Sequence, residues 1–121
     1  MIYIYDKKGF MPVAEIEAES LSGARLAGMN LHEANLAACD LSGADLQGVT
    51  LTGADLRLAD LSGADLSGAD LSDADLRGAR LRGARLDGAV LKGTHFSAPD
   101  LKDLDLRGLD IGHIKISAGD V

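Results

Sequence analysis

The stretch from residue 41 to residue 91 decides how this chain is built, and residues 41–60 read LSGADLQGVTLTGADLRLAD. A leucine stands at every fifth position of the stretch, and nothing interrupts that spacing. Self-similarity at one constant short period is the sequence mark of a solenoid, in which each unit packs only on its neighbours. The chain is therefore predicted to be a repeat protein whose core is a column.

The repeating unit is Ala-Asp-Leu-Ser-Gly, in which a small residue and a short polar residue precede the leucine and glycine stands two positions after it. A helix needs apolar residues at a period near 3.6 and a flat strand needs a period of 2, so a strict period of five satisfies neither. The unit suits a short extended segment followed by a bend, with the leucine and the small residue turned inward. Glycine then occupies the bend, where a positive φ is cheap without a Cβ. The core should be aliphatic, because the aromatic content is only 3%.

The number of units in one circuit is indicated by how the bend residues sort into columns. At a spacing of 20, one column is glycine throughout, from residue 28 to residue 108. A second column mixes residue types and reads Ala38, Leu58, Gly78, Ala98 and Ala118. Such columns favour four units per circuit, with corners of different geometry. A spacing of 15 sorts the bends less cleanly, and it stays open as the alternative.

The tandem units resemble the pentapeptide-repeat family, as in Ala54-Asp55-Leu56, Ala64-Asp65-Leu66, Ala69-Asp70-Leu71 and Ala74-Asp75-Leu76. The resemblance covers residues 19–118. It implies an all-β fold, a right-handed quadrilateral β-helix (solenoid) of about five four-sided coils. Many relatives have no assigned activity, so the resemblance implies an architecture and not a role.

Residues 1–18 precede the repeat and are predicted to form an amino-terminal capping segment, either a hairpin or a strand. Residues 2–5 are β-branched and aromatic, residues 6–9 supply turn chemistry, and residues 10–16 are apolar again, which indicates a hairpin. Pro12 makes the second strand an edge strand. Three of the four aromatic residues lie in the first ten positions. Because a stack of coils leaves an apolar end, this segment is best interpreted as its cover.

The carboxyl end departs from the pattern, because the small inward position becomes Pro99 and then Leu104, Leu109 and Ile114. The last coil is therefore overfilled with aliphatic side chains. Two outcomes are open, since these side chains could seat a carboxyl-terminal cap or form an end-to-end homodimer. Residues 119–121 are assigned to a short tail.

Composition excludes several classes of protein. The formal net charge of −7 argues against a nucleic-acid binder, whose phosphate contacts need a basic surface. The single cysteine, Cys39, excludes an internal disulfide and a cysteine zinc site, and it occupies a small inward position. No run approaches the roughly 18 apolar residues of a membrane span, and the first residues do not form a signal peptide. We predict a cytoplasmic protein with no membrane contact.

The aspartates before the leucines are the obvious candidates for chemistry, because stacked carboxylates could bind a cation or act as an acid and a base. They are spread around all faces, however, and Ser20, Thr50 and Asn30 replace them. A short side chain that bonds nearby backbone at a bend explains all of these residues. The three histidines occupy different positions in their units, so no convergent metal or catalytic set is expected. We predict no enzyme, no cofactor and no metal site.

Four units per coil also lead to a prediction about charge. Two columns should place an arginine between two carboxylates, and they are Asp60, Arg80, Asp100 and Asp65, Arg85, Asp105. The third coil, residues 59–78, holds five aspartates and one arginine, for a charge of −4. The fourth coil, residues 79–98, holds three arginines, one lysine and one aspartate, for a charge of +3. The surface is therefore predicted to be banded.

Leu58 breaks the polar pattern of the outward positions, next to Arg57 and one coil away from Arg77. It either packs against the amino-terminal segment or forms a small contact ridge for a partner. The possible interaction surface consists of Leu58, Arg57, Arg77, Leu104, Leu109 and Ile114.

These observations favour a non-enzymatic structural or protein-interaction module with an unknown protein partner. The alternative comes from the resemblance, since some relatives mimic duplex DNA and act on a type II topoisomerase (gyrase). The basic fourth coil would interrupt such an acidic strip. Direct nucleic-acid binding is not expected.

Overall fold

Parallel β-bridges pair residues 20 apart along most of this chain in a computed structural model that describes residues 1–118. The parallel bridges run from Arg25↔Asp45 to Asp75↔His95 without a change in spacing. The spacing of 20 predicted from the bend columns is therefore confirmed, and the spacing of 15 is wrong. The predicted tail at residues 119–121 lies outside the described residues.

Each five-residue unit is held by one set of hydrogen bonds, and the unit around Leu61 is typical. The Leu61 amide donates to the carbonyl of Arg80 in the next coil at 2.8 Å. The Gly63 amide likewise donates to Arg82 at 2.9 Å. The Ala64 amide donates back to the Leu61 carbonyl at 3.0 Å, which closes a four-residue turn. Because Gly63 has a φ of 68°, this is the pattern of a type II turn, whose third residue requires a positive φ.

The leucines and the small residues share one core, as the sequence predicts. The leucines at every fifth position from Leu26 to Leu81 are at most 1% exposed. Alanines such as Ala59 and Ala64 are equally buried between them. Burial of one such leucine contributes on the order of 1.5–3 kcal/mol, so the column of leucines supplies most of the driving force for folding.

The amino-terminal hairpin is confirmed and consists of β1 (Ile2–Tyr5) and β2 (Pro12–Ile16), paired antiparallel. Gly9 in its turn has a φ of 78°. The hairpin takes the place of a coil beneath part of the first circuit, because the Tyr5 carbonyl accepts a hydrogen bond from the Asn35 amide at 2.8 Å. In later circuits the equivalent amide donates to the coil before it.

The aromatic residues of the hairpin do not contact the core, and its isoleucines do. Ile4 is buried in the core, and Ile2 and Ile16 pack against the core. Tyr3 and Phe10, by contrast, are 50% and 79% exposed. Successive residues of a strand point to opposite faces, so the isoleucines take the inner face and the tyrosines the outer one.

The regular ladder ends at β3 (His95–Ser97), and β4 (Lys115–Ser117) pairs with β3 in parallel at the same spacing. A 3₁₀-helix (Ala98–Asp103) follows β3 and replaces the next unit. Pro99 provides the physical reason. It occupies the small inward position, whose amide closes the turn in the preceding units, and proline has no amide hydrogen to donate. The repeat is predicted to run through residue 118. It is regular up to β3, and only part of its last coil keeps the regular pattern.

No helix within residues 1–118 has both the length and the apolar character needed to cross a bilayer.

Candidate interaction site

Two columns of corners depart from glycine: one contains Glu33 and Asp73, and the other contains Ala38 and Leu58. Left-handed backbone recurs every five residues from residue 23 to residue 93, and most of these positions are glycine. Leu58 has a φ of 62°, which places a leucine where L-residues with large side chains clash and costs about 1–2 kcal/mol. The Leu58 side chain is also 69% exposed, so burial does not offset this cost.

The exposure of Leu58 decides between the two interpretations of its packing. A leucine that packed against the amino-terminal segment would be buried, so that interpretation is wrong. The side chain lies instead over Gly78, its neighbour one coil away in the same column. Leu58 therefore forms a ridge on the outside of the solenoid.

The ridge stands in a shallow groove that runs along the corner column and that we name the Leu58 groove. Its volume is about 820 Å³. The residues that line it come from all five levels of the column: Ala37, Ala38, Arg57, Leu58, Arg77, Gly78, Ser97, Ser117 and Ala118. The only charged groups among these residues are two guanidinium groups, and most of the others are small.

The two arginines of the groove are held by aspartates two residues before them. Arg57 Nε and Nη2 donate to Asp55 Oδ1 and Oδ2 at 2.9 and 2.7 Å. Arg77 repeats the arrangement with Asp75, at 2.9 and 2.6 Å. A longer contact of 3.9 Å joins Arg57 Nε to Asp75 Oδ2 in the next coil. Two identical Asp–Arg pairs are thus stacked one coil apart, and their planar bidentate geometry fixes the guanidinium orientation.

These contacts change the acidity of the groups involved. The side-chain hydrogen bond from Arg57 lowers the pKa of Asp55, and the same bond raises the pKa of Arg57. Burial alone would raise the pKa of Asp75, but the hydrogen bonds from Arg77 outweigh it, so that pKa is also lowered. Both pairs are therefore ionised at neutral pH.

Two polar groove residues were not predicted from the sequence, namely Ser97 and Ser117. Ser97 and Ser117 are register partners in β3 and β4. They reach the corner because the column repeats every 20 residues, and the spacing from residue 57 to residue 117 was the signal that could have identified them. Asp100 was also missed, and its carboxylate accepts a hydrogen bond from the Gly78 amide at 2.9 Å.

The predicted site residues fall into two groups that do not meet. Leu58, Arg57 and Arg77 line the groove together. The other three, all partly buried against the core, come from the irregular last coil: Leu104, Leu109 and Ile114. They pack against the core at the carboxyl end of the column, and both predicted outcomes, a carboxyl-terminal cap and an end-to-end homodimer, stay predictions.

The aspartates before the leucines have the structural role that the sequence predicts. Asp60 Oδ1 accepts a hydrogen bond from the Ser62 amide at 3.0 Å. Asn30 Oδ1 accepts from the His32 amide at 3.1 Å in the same way. The side chain therefore satisfies the amide two residues ahead, at the start of the turn. Within residues 1–118, no three His, Cys, Asp or Glu side chains are placed to hold a metal ion.

Two pairs of the predicted charge columns are confirmed, Asp60 with Arg80 and Asp65 with Arg85. Arg80 is the bridge partner of Asp60 in the next coil, and Arg85 is the partner of Asp65. Hydrogen bonds from Ser62, with a smaller contribution from the charge of Arg80, lower the pKa of Asp60.

The predicted positions of Asp100 and Asp105 in these columns are wrong. Asp100 lies in the 3₁₀-helix and bonds the backbone, and it does not cap the column above Arg80. Asp105 pairs with Arg107 at 2.7 Å, since both belong to the segment that leaves the regular ladder after Pro99. The shortest arginine–carboxylate contacts therefore run along the chain, between residues two apart, and not up the columns.

Bridges at a constant spacing of 20 and a turn every five residues define this chain as a parallel β-bridged solenoid built from five-residue units. The family model for pentapeptide repeats matches residues 20–57, 39–78 and 74–110, with eight copies. The chain therefore belongs to the pentapeptide repeat family.

Several solved structures are similar to this chain. The pentapeptide repeat protein Rfr23 of the cyanobacterium Cyanothece 51142 is 42% identical over 60% of this chain and 49% of its own, with a TM-score of 0.59. This chain thus spans about half the length of Rfr23. The pentapeptide repeat protein alr5209 of Nostoc Pcc 7120 is 35% identical, with coverages of 77% and 84% and a TM-score of 0.37. QnrB1, a plasmid-mediated fluoroquinolone resistance protein, is 22% identical, with coverages of 79% and 66% and a TM-score of 0.26. No curated protein matches the sequence.

Proposed function

We propose that this chain is a non-enzymatic, cytoplasmic protein-interaction module that presents the Leu58 groove to a protein partner. The scaffold we propose is a right-handed quadrilateral β-helix of about five coils. Four turns in every 20 residues support four sides. Family membership supports a repeat scaffold whose role is set by its surface and not by its fold.

Leu58 is the observation that carries this proposal. Glycine at residue 58 would remove the backbone strain, and a polar residue would remove the exposed apolar surface. Leu58 has both costs and is 69% exposed. Strained residues whose cost the fold does not require concentrate at functional sites, and exposed apolar ridges are typical of contact surfaces.

An enzymatic role has weaker support. The described residues contain one serine–histidine contact beside the groove, in which His95 Nε2 lies 2.6 Å from Ser117 Oγ. A catalytic serine also needs a group that orients the histidine and donors for the developing oxyanion. Among the hydrogen bonds of residues 1–118, none joins the His95 ring to a carboxylate. The contact is better explained as a bond between neighbouring coils where β4 joins β3.

A DNA-mimic role is opposed by the order of charges along the faces. Asp40 and Asp60 are bridge partners, but the next partner in that column is Arg80. The column with Asp45 and Asp65 likewise ends at an arginine. An acidic strip therefore continues over two coils only, which is short for a surface that imitates the phosphates of a duplex.

The proposed function is tested by capture of host proteins on immobilised wild-type protein, on Leu58→Asn and on Val90→Asn. Asparagine tolerates the left-handed region, so Leu58→Asn should fold. Val90 is the matched control because it is also exposed, at 48%, and lies outside the groove. We expect a protein that is retained by wild type and Val90→Asn and lost with Leu58→Asn. Equal capture by all three folded proteins would contradict the proposal.

A further inference from the structure

The Leu58 groove is asymmetric in charge. The residues that line it carry two guanidinium groups and no carboxylate. The Asp100 carboxylate bonds to this lining, but it is held by the Gly78 amide at 2.9 Å. The carboxylates that hold the two guanidinium groups, on Asp55 and Asp75, line a neighbouring depression together with Lys7, His95 and Arg57, which borders both. In a chain with a net charge of −7, this groove is a local surface that favours negatively charged ligand groups.

The two arginines are already fixed in position before any ligand arrives. Each uses Nε and one Nη2 hydrogen on its aspartate, and a guanidinium has five N–H donors. The remaining donors of Arg57 and Arg77 are not used by hydrogen bonds within residues 1–118. Because the side chains are ordered by their ion pairs, a ligand carboxylate would bind them with a smaller loss of side-chain entropy.

The dimensions of the groove indicate the shape of the ligand. Arg57 and Arg77 are one coil apart, which is about 4.8 Å, so one carboxylate can contact both. The groove spans the levels of Ala38 to Ala118, which are four coil steps or roughly 19 Å, the length of about six residues of extended chain. Leu58 gives this path one apolar contact.

We infer that the Leu58 groove binds an extended acidic segment of a partner protein, with a carboxylate on Arg57 and Arg77 and an apolar side chain against Leu58. This inference rests on the proposed function, because it names the partner chemistry of the same site. Charge complementarity selects an acidic partner over a basic one. The small residues that line the rest of the groove select an extended backbone over a helix, whose diameter of about 10–12 Å suits a wider groove.

The test is a selection of blocked, fully randomised hexapeptides on immobilised protein, followed by fluorescence anisotropy on the enriched sequences. We expect enrichment of peptides with Asp or Glu next to an apolar residue. Replacement of that acid by its amide should weaken binding roughly tenfold, since it removes a charge-assisted hydrogen bond. Binding should also weaken as salt is raised.

Matched variants assign the effect to the groove. The double variant Arg57→Gln/Arg77→Gln should lose about tenfold or more in affinity for the acidic peptide. Arg107→Gln should leave it unchanged, because Arg107 forms the same pair with Asp105 away from the groove. Thermal melts establish that each variant is folded.

Three results would overturn the inference: no enrichment above bare beads, enrichment of peptides without a carboxylate, or equal binding by the double variant. None of them contradicts the proposed function, which fails only if Leu58→Asn captures the same host proteins as wild type.

Discussion

The side chain of Leu58 occupies the space directly over Gly78, so that a Cβ built on Gly78 would lie 2.7 Å from Leu58 Cδ2. Each residue therefore constrains the other across one coil. A side chain introduced at residue 78 would displace the exposed end of the Leu58 side chain. The strained corner at Leu58 therefore affects which residue fits at the next corner of the column, Gly78.

Gly78→Ala should destabilise the fold more than Gly88→Ala. Both glycines have a positive φ, 75° and 71°, but a Cβ at Gly88 meets nothing within 4 Å. Gly88→Ala should therefore cost about 1 kcal/mol of backbone strain. Gly78→Ala should cost about 0.5–1 kcal/mol more, because the exposed end of the Leu58 side chain must leave its preferred rotamer. Urea unfolding measures both. In the background Leu58→Gly the two glycine variants should cost the same, and a persistent difference would show that the Leu58 contact is not its cause.

Leu66→Asp should prevent folding, whereas Asp65→Asn should be nearly silent. Leu66 is fully buried, and an unpaired charge in the core costs several kcal/mol. Asp65 Oδ1 accepts a hydrogen bond from the Ser67 amide at 3.0 Å, and an asparagine oxygen can accept the same bond, as Asn30 does. Circular dichroism and thermal melts distinguish the two. If both variants melted alike, the inward assignment of the leucines would be contradicted.

Stability should be flat from about pH 8 to pH 5 and should fall below about pH 4. Hydrogen bonds lower the pKa of Asp60 and Asp65, and those from Arg107 lower the pKa of Asp105 to about 2. A carboxyl with a lower pKa in the folded state stabilises it above the unfolded value of 3.8. That contribution is lost as the pH falls through the folded pKa. Melting temperatures from pH 8 to pH 2 test this, and a loss of stability that began near pH 6 would point to histidines instead.

The chain should not inhibit DNA gyrase. The acidic columns end at Arg80 and Arg85, so the fourth coil presents positive charge where a duplex would present phosphate. A supercoiling assay with purified gyrase should show no inhibition at high micromolar protein. Inhibition that disappeared with charge reversal at Asp60 and Asp65 would revive the DNA-mimic alternative.

The end-to-end homodimer stays a prediction with a simple measurement. Ile111 and Ile116 are exposed near the carboxyl end, where a second copy could cover them. If the contact forms, the mass from light scattering should increase with concentration, and Ile116→Lys should keep the protein monomeric without lowering its melting temperature. A wild-type mass that stays monomeric at high concentration would remove the homodimer.

The sequence by itself determined the solenoid, its inward leucines, the turn positions and the role of the aspartates. These features depend on residues within one five-residue unit. Because the unit repeats many times, the inward and outward positions can be assigned from the sequence. The hairpin and the spacing of 20 were also predictable, from turn chemistry and from the columns of corners.

Only the tertiary structure decided which side chains meet across coils. It placed Ser117 beside Ser97, turned Asp100 toward the Gly78 amide, exposed Tyr3 and buried Ile4. It also showed that Leu58, which the sequence assigns to an outward position, is exposed and does not pack against the amino-terminal segment. Sequence reasoning could not reach the positions of Asp100 and of the hairpin side chains, because Pro99 breaks the repeat and the packing of the irregular ends depends on contacts between residues far apart in the chain.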